Sequence, residues 1–425
     1  MRLVPLSPKW QNVAVQGFLF FAALLRYWPS YDPTGTVPRD PETYRIAYNL
    51  YEQGQFANPF LAANTGPSAH LSPLLPGLLA GLIMIFGVKS GGLWAIHLAG
   101  ALVLAFQLSL YPLFSRTLGM GRSTGAVGAL LWILAKPYPF FGWEAFYASF
   151  GLASTCCLFR HHLDLQLPQP SSWILGCCMG LLSLTSPPVI PVLAVWLAWD
   201  ICIRGAVSFK AFVPPLLLMP ALILTPWAIR NGVVFHRFIL VRDDLGLELA
   251  VSNNNCAQFS MEQNFKGCFQ QTHPNRNVRE ARRVIDLGEA DYNQRRFYEA
   301  LSWIKNHPRR FIQLSSYRFI AFWMPTESGT RRYVEYAGQG RLLERSLIYL
   351  MTLLSIPGWI TLYRRDFKSA VLCASCLAIF PIWYYFVQFQ DRYRYPVMWL
   401  SFLLGAFPFA EYVNRYPKRK NSQPS

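Results

Sequence analysis

The stretch RDPETYRIAYNLYEQGQFANPF, residues 39–60, decides how the rest of the chain is read. Asp40 followed by Pro41 is a strong helix start, because a carboxylate caps the orphan amides of the first turn and proline suits the first helical position. Tyr44, Ala47, Tyr48 and Tyr51 then recur at helical spacing on one face, and Gly54 ends the run. The pattern predicts a short amphipathic helix lying at a membrane surface. On these residues alone Asp40 is a helix cap.

The membrane is implied by what flanks this stretch. Before it runs QNVAVQGFLFFAALLRYW, residues 11–28, close to the ~20 residues that cross a bilayer. Arg2 and Lys9 precede it and no small-residue cleavage site follows a short apolar core, so it reads as an uncleaved span with its N-terminus inside. Further candidate spans lie at 72–87, 93–115, 124–140, 146–159, 173–186, 187–203 and 211–229, then at 346–363, 369–388 and 396–412. Of the 425 residues, 53% are hydrophobic and 14% charged. Soluble domains carry about a quarter charged residues, so an ordinary soluble enzyme is excluded. The net charge of +17 has its source in Lys and Arg at cytoplasmic span ends rather than in a nucleic-acid partner.

The expected fold class is an α-helical polytopic membrane protein. Residues 1–229 form an N-terminal transmembrane module whose first outer loop is 30–71, and 230–345 form a large extracytoplasmic loop region. Residues 346–413 are C-terminal transmembrane helices, and 414–425 are a cytoplasmic tail. Basic residues before the first span, in RRDFK (364–368) and in the tail place both long loops outside. The second loop carries an excess of Lys and Arg, but long loops are exempt from the charge rule. The span count conflicts with that placement: if every candidate crosses, the loop holding Glu144 and the loop 230–345 both land inside. The segment 72–87, short and holding Pro73 and Pro76, is the first suspect for one that does not cross.

Cys156, Cys157, Cys177, Cys178, Cys202, Cys373 and Cys376 lie in or at the ends of spans and read as small apolar side chains. Cys256 and Cys268 share the second loop, where an oxidising compartment would let them pair; the sequence leaves that open. In the same loop Phe297, Ala300, Leu301 and Ile304 make an apolar helical stripe that Pro308 breaks. No His/Asp cluster or CxxC pair has metal-site spacing, so no metal site and no cofactor are expected, with a divalent ion left open.

In order and spacing these features resemble the GT-C glycosyltransferases, in particular the protein O-mannosyltransferase and lipid A aminoarabinose transferase group (bacterial family 39-like). In that group an acid opens the first outer loop, a Tyr follows four positions later, and an A-x-x-L…G-x-F continuation comes next. Here these are Asp40, Tyr44, Ala47, Leu50, Gly54 and Phe56. GPSAHLSPLLPGLLAGLIMIFG (66–87) is similar to a Pro-rich approach to the following span, and WEAFYASF (143–150) to the second acidic loop, placing Glu144. TPWAIRNGVVFHRFILVRDDLGLELAVSNNN (225–255), GEADYNQRRFYEALSWIKNHPRRF (288–311) and RYRYP (392–396) resemble the large outer region and the late motif of bacterial members. The resemblance covers nearly the whole chain. It departs where Pro41 separates Asp40 from Glu42, and where His70 stands near the Lys of the aminoarabinose transferases.

The resemblance implies a GT-C fold of about 10–12 transmembrane helices with amphipathic outer-loop helices. It implies a hexosyl- or pentosyltransferase of a bacterial inner membrane, with its site facing outside. The partners would be a polyprenyl-phosphate sugar donor, a lipid, glycan or protein acceptor, and membrane lipids. Asp40 would be the general base. Glu144 would orient the acceptor or support the base, or else be an interfacial acid beside Trp143. Tyr44, His70, Arg230, Arg392 and Arg394 would contact substrate, Arg forks being suited to a departing phosphate. Arg392 and Arg394, interleaved with Tyr393 and Tyr395, equally read as interfacial anchors, and His70 as a loop histidine. The rival readings are a transporter or flippase of lipid-linked sugars and an O-antigen ligase or polymerase-type enzyme. Transporters usually show internal repeats and charges within spans; no repeat is visible here, and charges inside the apolar runs are scarce.

Overall fold

The structure, a computed structural model, describes residues 8–39, 42–138, 141–165, 169–325 and 342–420. The N-terminal part holds α1 (Pro8–Arg26), α2 (Glu42–Gln53), α3 (Leu74–Phe86), α4 (Ser90–Ser109), α5 (Tyr111–Thr117) and α6 (Arg122–Ala135). It continues with α7 (Glu144–His162), α8 (Pro170–Thr185), α9 (Ile190–Val213) and α10 (Met219–Phe235). The second loop folds into α11 (Leu245–Ser252), α12 (Met261–Lys266), α13 (Cys268–Thr272), α14 (Val278–Leu287), α15 (Glu289–Asn306) and α16 (Pro308–Trp323). The chain ends in α17 (Leu342–Arg365), α18 (Phe367–Ile379), α19 (Ile382–Phe386) and α20 (Tyr395–Lys420). Among the described residues the only extended pairings are isolated bridges, Thr36 with Lys89 and Ala57 with Pro67.

Five of the described helical segments are long and apolar enough to cross a membrane: Ser90–Ser109, Pro187–Gly205, Pro214–Phe235, Leu342–Arg365 and Phe367–Phe386. With α1, α6, α7, α8 and α20 they run between two faces. At the face bearing both long loops, Arg26 at the end of α1 pairs with Glu344 at the start of α17 (2.7 Å), and the Tyr27 hydroxyl donates to the Pro137 carbonyl. At the opposite face Arg160, near the end of α7, pairs with Asp366, which caps α18.

The segment 72–87, the suspect in the span count, forms a short helix held beside the first loop. Both of its ends are tied to the first loop. On the N-terminal side the Ser68 amide donates to the Phe56 carbonyl, and on the C-terminal side the Val37 amide donates to the Val88 carbonyl at 2.9 Å. Between those ties α3 lies along α2, burying Leu75, Leu79 and Ile83 against Tyr44, Ala47 and Tyr48. Glu144 at the start of α7 pairs with Arg242 of the second loop at 3.2 Å, so the two lie at one face.

The bundle core is aromatic and close-packed. Trp132 of α6 lies against Tyr395 and Phe402 of α20. Gly358 of α17 sits directly on the Leu404 backbone of α20, the small-residue contact that lets helices approach where lipid offers no hydrophobic drive. Over the loop face, α15 buries Ala300 and packs Phe297 and Ile304 on the core, while Leu301 of the expected stripe is turned out. Cys256 and Cys268 form a disulfide. Arg318 of α16, 1% exposed, donates to the Asn253 side chain and the Phe386 carbonyl, fastening this cover to α11 and α19.

Candidate active site

The first loop, the start of α7, the segment 241–248 and the turn before α20 converge at the loop face. In the first loop, α2 carries Glu42 in its first turn and Tyr44 on its buried side. The Tyr44 ring closes on Gly142, where a Cβ would meet it at 2.5 Å, so only glycine admits this contact. Burial, with Tyr138 beside it, pushes the Tyr44 hydroxyl up to about 12, and it stays protonated at neutral pH. Tyr51 lies off the buried face, 44% exposed.

Glu144 stands in the first turn of α7, where the helix dipole favours an anion. Its carboxylate pairs with Arg242 at 3.2 Å, and Arg242 Nε reaches Asp244 at 3.0 Å. Burial pulls the Arg242 guanidinium down, but Asp244 and Glu144 more than offset it, leaving it raised. Burial raises the Asp244 carboxyl, with Arg242 acting against it. Glu248, one helical turn further along, is pushed up to about 7 by burial and by Asp244, while Arg392 and Arg242 restrain it. Gly246, between them, lies against the Asn293 backbone of α15, which fixes how α11 presents these acids. Arg392 lies over the Trp143 ring at 3.2 Å and donates to the Tyr393 hydroxyl at 3.3 Å. Tyr393 stacks on Tyr384 at 4.4 Å.

His70 borders this cluster. It is 2% exposed, edge-on to Phe60 at 5.0 Å, with Nε2 3.9 Å from Glu42. Its Nδ1 is buried without a hydrogen-bond partner. Burial and then Arg242 pull its pKa down to about 3, so the imidazole is neutral at physiological pH. The backbone leading to it is held from behind: Glu289 accepts from the Ala69 amide at 2.6 Å, and the Asp243 amide donates to the Ala69 carbonyl at 2.9 Å. Burial pushes Glu289 up to about 8.

Thus His70 and Glu144 lie by Arg242, Arg392 reaches the same acids, and Tyr44 closes on Gly142 two residues before Glu144. Arg230 and Arg394 point elsewhere. Arg230 donates to the carbonyls of Ser68 (2.8 Å) and Phe56 (3.0 Å) and lies over Trp227. Arg394, 4% exposed, donates to Thr352 Oγ1 and to the Trp323 carbonyl, and burial draws it down to about 10. It lines a separate cavity with Arg345 and Tyr349. Asp40 lies outside the described residues. Sequence reasoning missed Arg242, Asp244, Glu248 and Glu289. The available signal was RDDLGLEL (242–249), a dense acidic run in a chain with 22 Asp and Glu in all. Among the described residues no three His, Cys, Asp or Glu side chains are grouped to hold a metal. The cluster can receive an anionic group on Arg392, hold a hydroxyl on a carboxylate, and keep a neutral imidazole beside both.

No family model matches the chain, and no curated protein matches it. Its fold matches the solved apo oligosaccharyltransferase of Archaeoglobus fulgidus at 16% identity and a TM-score of 0.57, over 98% of this chain and 52% of that one. It also matches the archaeal oligosaccharyltransferase AglB from the same organism in complex with an inhibitory peptide and a dolichol-phosphate, at 14% identity, a TM-score of 0.56 and 98% and 52% coverage. The complex of the A. fulgidus enzyme with Zn and sulfate matches at 15% identity and a TM-score of 0.55, over 95% and 50% of the two chains. The chain spans 52% of the first of these structures, roughly half its length. The likeness shows that this chain shares the helical fold of the matched half of these oligosaccharyltransferases.

Proposed function

We propose that the chain is an integral membrane glycosyltransferase that moves a sugar from a polyprenyl-phosphate donor to an acceptor at the loop face, the outer face of a bacterial inner membrane. The observation that carries this reading is the Glu144–Arg242–Asp244 ion-pair chain beside Arg392 and His70, set at the loop face of a GT-C fold. That one neighbour was solved with a dolichol-phosphate supports a lipid phosphate as the donor's leaving group.

Asp40 acts as the base. Its carboxylate takes the acceptor proton as the acceptor oxygen bonds to the anomeric carbon, and the carbon–oxygen bond to phosphate breaks with its electron pair leaving on the polyprenyl phosphate. Arg392, a planar fork backed by Trp143, receives the developing phosphate charge. Glu144 is oriented by Arg242 and supports the acceptor. Tyr44 and neutral His70 offer uncharged hydrogen bonds to the sugar. Arg230 acts on the donor side by fixing the carbonyls of the first loop, and Arg394 by setting the turn that aims Arg392.

The test is transfer from a polyprenyl-phosphate sugar by the full chain carrying Asp40→Asn. Loss of transfer at normal expression is expected. Unchanged transfer would remove Asp40 from the mechanism and favour a ligase-type enzyme built on the second loop, whereas no transfer even by the wild type would favour a lipid transporter.

A further inference from the structure

The cavity that Arg394 lines with Arg345 and Tyr349 lies apart from the acidic cluster, at the loop-face ends of α6, α17 and α20. Its volume is about 70 Å³, and none of Glu144, Arg242, Asp244 and Arg392 lines it. Arg345 stands in the first turn of α17 and Arg394 in the turn before α20. They are 6% and 4% exposed, and each guanidinium carbon lies 5.5 Å from the centre of the same ring, that of Tyr349. Two buried cations thus flank a single aromatic face. Phe322, Phe389, Ile348 and Met398 supply apolar wall, and the cavity reaches the surface beside Tyr138 and Asp391, both exposed.

Among the described lining residues these two cations share one carboxylate. Asp391 stands 3.9 Å from Arg345 and acts on Arg394 as well, while Glu344, next to Arg345 in the chain, is paired with Arg26. The hydrogen-bond partners of Arg394 are neutral, the Thr352 hydroxyl and the Trp323 carbonyl, and its Nε is buried without one. A buried guanidinium with an unmet donor and a shared counter-charge is costly to the fold, so the cavity is short of a negative charge. Its volume limits the size of the carrier. A water takes about 30 Å³, so a tetrahedral oxyanion fits and a sugar ring does not. Its level gives the source. The ends of three crossing helices put the cavity at headgroup depth, and α6 and α17 beside it turn Leu134, Leu350 and Leu353 outward, toward acyl chains. The anion abundant at that depth is a lipid phosphate, whose oxygens match planar guanidinium forks. The reacting phosphate of a donor belongs instead at Arg392, which leaves the turn toward Trp143.

We propose that the Arg345–Arg394 cavity seats the phosphate of an anionic membrane phospholipid, which completes the charge balance at the ends of α6, α17 and α20. A zwitterionic headgroup brings its own cation to the two guanidiniums and is disfavoured. The bound phosphate holds the turn 391–394 from behind, so the lipid is a structural ligand of the segment that carries Arg392. The site does not rest on the glycosyltransferase reading, and it stands or falls without any transfer assay.

The experiment uses the full chain, purified in detergent and stripped of lipid, with native mass spectrometry to count bound lipid and melting curves to report its effect. The probes are phosphatidylglycerol, a diacylglycerol with the same acyl chains, polyprenyl phosphate and inorganic phosphate. Phosphatidylglycerol is expected to bind and to raise the melting temperature, and diacylglycerol to do neither. Arg394→Gln weakens phosphatidylglycerol binding by about tenfold or more, as expected for loss of a charge-assisted hydrogen bond. Asp391→Asn, at an exposed position, strengthens it by removing the competing carboxylate, a reversal of sign that a merely structural defect does not give. Should Arg394→Gln fail to fold, Ile348→Phe fills the cavity with both cations kept. That variant is expected to lose the lipid while melting near the wild-type temperature in its absence. Equal binding of phosphatidylglycerol and diacylglycerol overturns the proposal, as does phosphatidylglycerol binding that neither the cavity-filling nor the charge variants change. Polyprenyl phosphate bound in preference to phosphatidylglycerol, or inorganic phosphate bound as tightly as either lipid, overturns the phospholipid as the occupant.

Discussion

At the face opposite the site, Arg160 bonds Asp366 at 3.0 Å and Ser369 at 3.0 Å, and Lys368 pairs with Asp164 at 3.0 Å. Deeper in, Arg204 bonds Asp200 and the carbonyls of His162 and Leu165. Burial raises the Asp366 carboxyl, yet Ser369 and Arg160 bring it below its ordinary value. Asp164 is likewise raised by burial and brought lower by Lys368 and Arg160. At the loop face the balance reverses: Asp243, Asp244, Glu248 and Glu289 all stand raised, burial being the largest cause in each. The residue types are the same and the outcome differs. Charges that join helix ends are fully partnered, whereas charges gathered at the loop face are partly unsatisfied, as expected where a protein reserves them for a ligand.

The largest expected effect breaks the comparison at its catalytic end. Asp40→Asn lowers transfer by about 10²- to 10⁴-fold, measured with a radiolabelled polyprenyl-phosphate sugar, while Asp366→Asn leaves the activity of the folded protein near wild type. Next is Arg242→Ala. It strands two carboxylates and destabilises by about 3–5 kcal/mol, seen as a fall in melting temperature that Glu144→Gln added to it partly restores. Third, Cys256→Ser opens the bridge over the second loop and lowers stability by about 2–4 kcal/mol, checked by melting with and without reductant.

The smallest pair carries opposite signs. Glu248 titrates in the fold near 7 against an ordinary 4.5, so its charged form burdens the fold as pH rises through that window. Glu248→Gln is therefore expected to stabilise by about 1–2 kcal/mol at pH 8, after allowance for solvent screening, and by nothing at pH 4. Asp366 lies below its ordinary 3.8, so its contribution is present above that value and lost as pH falls through the folded one. Asp366→Asn accordingly destabilises by about 1 kcal/mol at pH 7 and much less at pH 3. Melting curves of both variants across pH separate the two faces directly.

Much of the fold was legible because apolar runs and a helical repeat are local signals. The α2 face of Tyr44, Ala47 and Tyr48 and the break at Pro308 needed only spacing. The parity conflict pointed to 72–87, though hydropathy alone made it a span; its ties to Phe56 and Val37 come from distant positions that no local signal reaches. The site was less legible. Arg242 meets Glu144 across 98 residues of chain, and no spacing rule reaches so far. Arg392 and Arg394 looked alike in sequence, but a 3-10 turn advances about 120° per residue. They leave that turn in different directions, one to Trp143 and the other to Trp323.

The most direct measurement is mass spectrometry of the lipid that copurifies with the protein, before and after adding candidate glycan, lipid and peptide acceptors. The expected result is a polyprenyl-phosphate sugar in both wild type and Asp40→Asn, consumed on addition of an acceptor by the wild type alone, with a matching glycosylated product. A protein that carries no lipid-linked sugar even when supplied with one, or an Asp40→Asn variant that consumes it at the wild-type rate, would contradict a loop-face transferase using Asp40.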